Sequence, residues 1–154
     1  MSALRLINET TTTAGVQSVN ITDVFSSDYD LYKLVGSKNL ANNSTATGFN
    51  LRFINAGNSV VATDYDYAQL AMKGDAAQSA GNVAYVFKPF SSSHYTYCIW
   101  QSSTNPGGNY RMYKGIGVLH QLSCITGFQA ELNESAGEFA SGGKIRVYGL
   151  RVDT

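Results

Sequence analysis

Histidine is the side chain that most often acts as a general base near neutral pH, and this chain has two, His94 and His120. Nucleophilic hydrolysis would require one of them within reach of a serine or cysteine. His94 follows the serines of 91–93, where a solvated or turn-capping histidine is the ordinary explanation. His120 stands among apolar residues of an expected strand, which favours a structural or interface role. The sequence contains no nucleophile elbow, phosphate-binding glycine loop or His-Glu-x-x-His motif, so we predict that the protein is not an enzyme.

Metal binding has one candidate set, which consists of aspartates. Carboxylate oxygens are the ligands that calcium prefers, provided that the loops carrying them converge. The residues concerned are Asp23, Asp28, Asp30, Asp64 and Asp66. The alternative is that these side chains cap turns and solubilise strand entries. The two histidines and two cysteines lack the spacing of a zinc site, and no pair of glutamates is set apart as a glycosidase acid and base. We predict no cofactor and leave the aspartates open.

Aromatic residues are a more informative set, with ten tyrosines, seven phenylalanines and one tryptophan. Five of them flank the glycine-rich loop of 105–109 and could contact a sugar ring or another protein. They are Tyr95, Tyr97, Trp100, Tyr110 and Tyr113. Strand alternation places the first two on one face and Trp100 with Cys98 on the other. Because a sandwich has a buried and an exposed side, one of these two groups must belong to the core.

Charge and composition limit the partners. Only 14% of residues are charged, with 11 basic and 11 acidic side chains and no basic patch, which argues against nucleic-acid binding. No apolar stretch is long enough to cross a membrane, and the N-terminus lacks the apolar core of a signal peptide. We therefore expect synthesis in a cytoplasm, with Cys98 and Cys124 as buried free thiols. A near-neutral surface poor in charge favours association with neighbouring subunits.

Period-two alternation predicts an all-β fold of nine or ten short strands over a single domain, 1–154. Among the strands expected is 118–125, which includes His120. The stretch 29–35 is apolar on both faces and should lie centrally in a sheet. Residues 64–74 differ, because Asp64 could cap a helix and Gly74 could end it, so we predict a short helix or an irregular crossover there. The threonine-rich segment 1–13 could be an N-terminal arm.

The last strand, Lys144–Val152, alternates clearly after a Gly-Gly turn, with Ile145 and Val147 on one face and Lys144 and Arg146 on the other. A final strand of this kind usually closes a β-sandwich. The "IRVYGLRV" of this strand resembles part of a β-sandwich module of tailed-bacteriophage virion proteins, of marine phages above all. The resemblance extends to the stretches 116–119 and 125–128, the second of which begins "ITGF". Segments 7–10 and 28–33 share the likeness.

This resemblance implies a jelly-roll-like antiparallel β-sandwich on the exterior of a phage particle. The function it implies is an outer capsid decoration (cement) protein that binds the major capsid protein or other virion proteins, as a homo-oligomer and most often a trimer. Binding that favours the assembled shell would stabilise it by mass action. The alternative is a receptor- or carbohydrate-binding module of the tail or tail fibre, which would contact a host surface glycan through the aromatic residues.

Overall fold

The computed structural model describes residues 4–37, 49–66, 81–104, 111–132 and 138–151, and these residues form an all-β fold. Its ten strands are β1 (Leu4–Thr11), β2 (Ser18–Ile21), β3 (Leu31–Ser37), β4 (Phe49–Asn55), β5 (Tyr65–Asp66), β6 (Gly81–Phe87), β7 (Thr96–Thr104), β8 (Arg111–Leu119), β9 (Ile125–Leu132) and β10 (Lys144–Leu150). The described part of the chain contains no helix, and hence none that could cross a membrane.

The strands form two antiparallel sheets. The large sheet has the order β1-β10-β3-β6-β7-β8-β5, and the small sheet has the order β2-β9-β4. The chain alternates between the sheets from β1 to β4 and again from β9 to β10, so that the two ends of the sequence pair with each other. This wrapping is that of a jelly roll. Strands β6, β7 and β8 follow one another along the chain and are also neighbours in the large sheet. They widen this sheet beyond the jelly-roll strands.

The core lies between the sheets and is built by strand alternation. On β10, Ile145 and Val147 are almost fully buried while Lys144 and Arg146 face outward, as the sequence predicts. The ring of Phe25, just before β3, packs edge-on against Tyr32 at 4.7 Å between centroids, and Phe25 also stacks on Phe128 of β9. These contacts join both sheets into one hydrophobic cluster.

The hydroxyl group of Tyr32 is buried but has hydrogen-bond partners. It accepts a bond from the Ser26 amide at 2.7 Å and donates one to the Ser26 carbonyl at 2.9 Å. Burial raises the pKa of this phenol. A neutral, paired hydroxyl can therefore occupy the sandwich interior without the cost of an unsatisfied polar group.

One predicted strand is wrong in its extent, and of the helix or crossover predicted over 64–74 only the beginning is described. Residues 64–66 do not begin a helix, because Asp64 adopts a positive φ of 67° and Tyr65 then pairs with Leu119 as strand β5. The remainder of the predicted helix or crossover lies outside the described residues. The strand predicted over 118–125 is interrupted, since β8 ends at Leu119 and β9 begins at Ile125, which places His120 in a loop.

The first and last strands of the described residues both lie in the large sheet. Strand β10 lies between β1 and β3, so the final strand closes the sandwich as predicted. Most of the segment predicted as a possible N-terminal arm forms the edge strand β1, whose residues pair with β10 from Leu4 to Thr11 around a bulge. Strand β3 lies between β10 and β6, which confirms its expected central place.

Candidate functional site

The outward faces of the two sheets differ in polarity. In the small sheet, polar side chains point away from the core, as is usual for an antiparallel sheet that faces water. The side-chain amide of Gln129 donates a hydrogen bond to Asn20 at 2.9 Å, and Arg52 pairs with Glu131 at 3.3 Å. This surface is therefore an ordinary solvated face.

The large sheet presents an apolar surface on its outward side, which we call the outer face. Strand register aligns its side chains in rows across β1, β10, β3, β6, β7 and β8. The first row is Leu4, Leu150, Leu31, Phe87, Tyr97 and Val118. The second row is Leu6, Tyr148, Lys33, Tyr85, Ile99 and Ile116. Eleven of these twelve side chains are apolar or aromatic, so the two rows form a continuous apolar band.

A third row lies beside the second, on the side away from the first, and is more polar. Its members are Glu9, Arg146, Val35, Val83, Gln101 and Lys114. The outer face thus has an apolar band bordered by charged groups on one side. Protein interfaces typically have an apolar centre with a polar rim, and the charged row supplies such a border along one side of the band.

Several side chains of the apolar band are far more exposed than their types would lead one to expect. Ile116 is 69% exposed, Tyr97 52% and Leu6 51%. Next to the first two lies a shallow hollow of about 250 Å³, lined by Phe87 and Ile99 among others. A hollow beside projecting apolar groups can receive the side chains of another molecule.

The charged groups of the outer face are held in defined positions. Glu9 accepts hydrogen bonds from Lys144 at 2.8 Å and from Arg146 at 2.6 Å, and these contacts hold the pKa of its carboxyl below the ordinary value. Lys33, the one charged residue of the apolar band, has its ammonium nitrogen 6.0 Å from the centre of the Tyr85 ring. The polar border is therefore ordered on the β1 side of the sheet.

The predicted aromatic residues do not share one surface. Tyr97 lies on the outer face, whereas Trp100 points to the opposite side of β7, where its indole covers Gly115 and packs against the core. Tyr113 is half-buried and, by register, lies on the same side as Trp100. Tyr95 is exposed at the entry of β7, and Tyr110 lies outside the described residues. The predicted division of Tyr97 from Trp100 is confirmed.

The two histidines lie in loops at one end of the sandwich. His94 Nδ1 is 3.0 Å from both Ser91 Oγ and Ser93 Oγ, within one exposed turn. The ring of His120 contacts that of Tyr95 at 5.1 Å between centroids, and its backbone amide donates to the Asp64 carbonyl. The His94 contacts lie within one turn, whereas those of His120 join the loop after β8 to the entries of β5 and β7.

The thiols and carboxylates of the described residues lie apart from one another. Both cysteines are free, with Cys98 buried as predicted and Cys124 only partly buried. Burial raises the pKa of the Cys98 thiol to about 12, which leaves it protonated and unreactive at neutral pH. Among the described residues, no three His, Cys, Asp or Glu side chains are close enough to bind a metal ion together.

Sequence reasoning missed most of the outer face. Strand β6 carries Val83, Tyr85 and Phe87 outward and Ala84 and Val86 inward, so it is apolar on both sides. The same holds for much of β3. The sequence predicts a central place for β3 alone, and the structure confirms it. The outward apolar row that β3 and β6 share is an exposed patch of the kind found at interaction sites.

Searches of protein-family models and of curated protein sequences found no match to this chain.

Proposed function

We propose that this chain is a non-enzymatic structural protein of a tailed-phage virion, most specifically an outer capsid decoration protein. The observation that carries the structural role is the apolar outer face of the large sheet. A surface with Ile116, Tyr97 and Leu6 all at least half exposed gains stability when it is covered, so the working form is an assembly. The phage setting rests on the resemblance of the sequence.

Decoration proteins act by binding the assembled shell in preference to its free subunits. Such binding stabilises the shell by mass action, in proportion to the number of sites filled. No covalent step is required. A charge-poor β-sandwich with a broad apolar face has the properties that this role demands.

The test is the location and copy number of the chain in purified particles, by quantitative mass spectrometry together with cryo-electron microscopy. We expect copies at repeated lattice positions on the shell, in a number comparable to that of the major capsid protein. A few copies at the tail would contradict the decoration role. Absence from the particle would contradict the virion setting as a whole.

A carbohydrate-binding module is the second candidate, and one observation favours it. Tyr97 is 52% exposed beside the hollow that Phe87 also lines, and an exposed aromatic ring is suited to stack on a sugar. A module of this kind would bind glycans in an array, and the variant Tyr97→Ala would lose that binding. Trp100 contributes little to such a site, because it faces the other side of the sheet.

A further inference from the structure

The outer faces of two copies can pack against each other around a two-fold axis. This axis lies in the interface, parallel to the strands and midway between β3 and β6. Rotation about this axis places β3 of one copy over β6 of the second, β10 over β7 and β1 over β8. Each row of side chains then meets the same row of the other copy. Apolar rows therefore contact apolar rows over the full width of six strands.

We propose that the outer face binds the outer face of a second copy of this chain, in a two-fold symmetric dimer. The inference rests on the proposed function in one respect, which is that the outer face is covered in the working form. It departs from the trimer that the resemblance implies. A face that complements itself about a two-fold axis closes at two subunits.

Shape supports this pairing. Leu4 and Leu6 project from β1 at one edge of the face, 50% and 51% exposed. The hollow of about 250 Å³ lies at the other edge, on β6, β7 and β8. The two-fold axis exchanges these edges, so the leucines of each copy meet the hollow of the other, where Ile116 and Tyr97 are the most exposed lining groups.

Charge supports it as well. The axis places Glu9 of one copy opposite Lys114 of the second, and Lys33 opposite the ring of Tyr85. The first contact is an ion pair and the second a cation–π contact. Arg146 faces the neutral Gln101, so no like charges meet in this row. An axis across the strands, placed midway between the second and third rows, would instead set Lys114 against Ile116.

The area is sufficient for a stable dimer. A fourth row, of Thr11, Lys144, Gly81, Ser103 and Met112, follows the third. Six strands about 4.8 Å apart and four side-chain rows about 6.8 Å apart give a face of about 800 Å², equal to the contribution of each partner in a standard interface of about 1,600 Å². The apolar band makes up about half of it. The remainder supplies the polar rim.

Crosslinking between introduced cysteines tests the geometry directly. Because face-packed sheets lie about 10 Å apart, too far for a disulfide, a short bis-maleimide is used to join the thiols. In a Cys124→Ser background, the double variant Leu6→Cys/Ile116→Cys places the two thiols opposite each other only across the proposed interface. Within one chain these positions lie on β1 and β8, five strand spacings or about 24 Å apart, which is beyond the reach of a short bis-maleimide. Any crosslink between them must therefore join two copies.

We expect the double variant to form a covalent dimer with the short bis-maleimide. Each single-cysteine variant should form none, because the axis sends its two copies to opposite edges of the dimer. The matched control is Leu6→Cys/Leu122→Cys, since Leu122 is 57% exposed in the loop after β8 but lies off the outer face. Equal crosslinking of the control, or no covalent dimer from the double variant, would overturn the proposal.

Sedimentation equilibrium gives an independent measurement that needs no new cysteine. The unmodified chain should dimerise, Ile116→Glu should weaken dimerisation by about a hundredfold or more, and Leu122→Glu should leave it unchanged. Circular dichroism confirms that both variants are folded. A chain that stays monomeric at every concentration would refute the dimer but leave the virion role standing, because copy number in the particle is measured separately.

Discussion

Truncation of Ile116 to alanine should weaken the dimer strongly and the fold only slightly. The change removes the side-chain carbons beyond Cβ, about 2.4 kcal/mol of transfer free energy at about 0.8 kcal/mol per methylene. Because 69% of this side chain is exposed in the single chain, about 1.7 kcal/mol of that sum is gained only on association. A symmetric dimer buries the residue twice, which gives about 3.4 kcal/mol and a dissociation constant raised about three hundredfold.

Analytical ultracentrifugation over a wide concentration range measures this constant for Ile116→Ala and for the matched variant Leu122→Ala. Leu122 is similarly exposed, at 57%, but it lies in a loop away from the outer face. We expect a change of less than about threefold for it, within the usual spread of surface substitutions. If the two variants had equal dissociation constants, the assignment of Ile116 to an interface between copies would be refuted.

Three further predictions concern the fold. Since burial raises the pKa of Cys98 to about 12, a thiol reagent should modify Cys124 in the folded protein and Cys98 only after unfolding; equal rates would contradict the buried placement. Glu9→Gln should lower the free energy of unfolding at pH values above the ordinary glutamate pKa. The effect should disappear as the pH falls through the lowered pKa of Glu9, because protonation ends its contacts with both cations. Urea unfolding of both proteins from about pH 7 to about pH 3 measures the difference, and a difference independent of pH would contradict this. Gly127→Ala should lower the free energy of unfolding by about 1–3 kcal/mol or more, because a Cβ there would overlap the backbone at the end of β2. Gly81→Ala is the control, since a Cβ at that position has room. Thermal melts with similar midpoints for the two variants would argue against the contact at Gly127.

Much of the fold could be predicted from local patterns. The alternation of Ile145 and Val147 with charged residues identified β10, and glycine and asparagine turns separated most strands. The prediction failed at Asp64–Asp66, where an N-cap residue and a helical spacing of apolar side chains favoured a helix. Pairing with β8, which is more than fifty residues away in sequence, overrode that local preference.

The candidate site could be predicted only in part. Alternation alone separated Tyr97 and Ile99 from Cys98 and Trp100, and the structure confirms this division. The outer face as a whole depends on which strands become neighbours, since its rows combine residues as distant in sequence as Leu6 and Tyr148. Strand order is a property of the folded topology, so no local pattern could have shown that these side chains form one band.

The central claim is that the outer face is covered in the working form. Hydroxyl-radical footprinting tests it most directly, by comparing the chain in intact particles with the chain after dilution to the free monomer. We expect Tyr97 and Ile116 to be labelled in the free chain and protected in the particle, while Leu122 is labelled in both. Equal labelling of Tyr97 and Ile116 in the two states would mean that the face stays open to solvent, and would contradict the account.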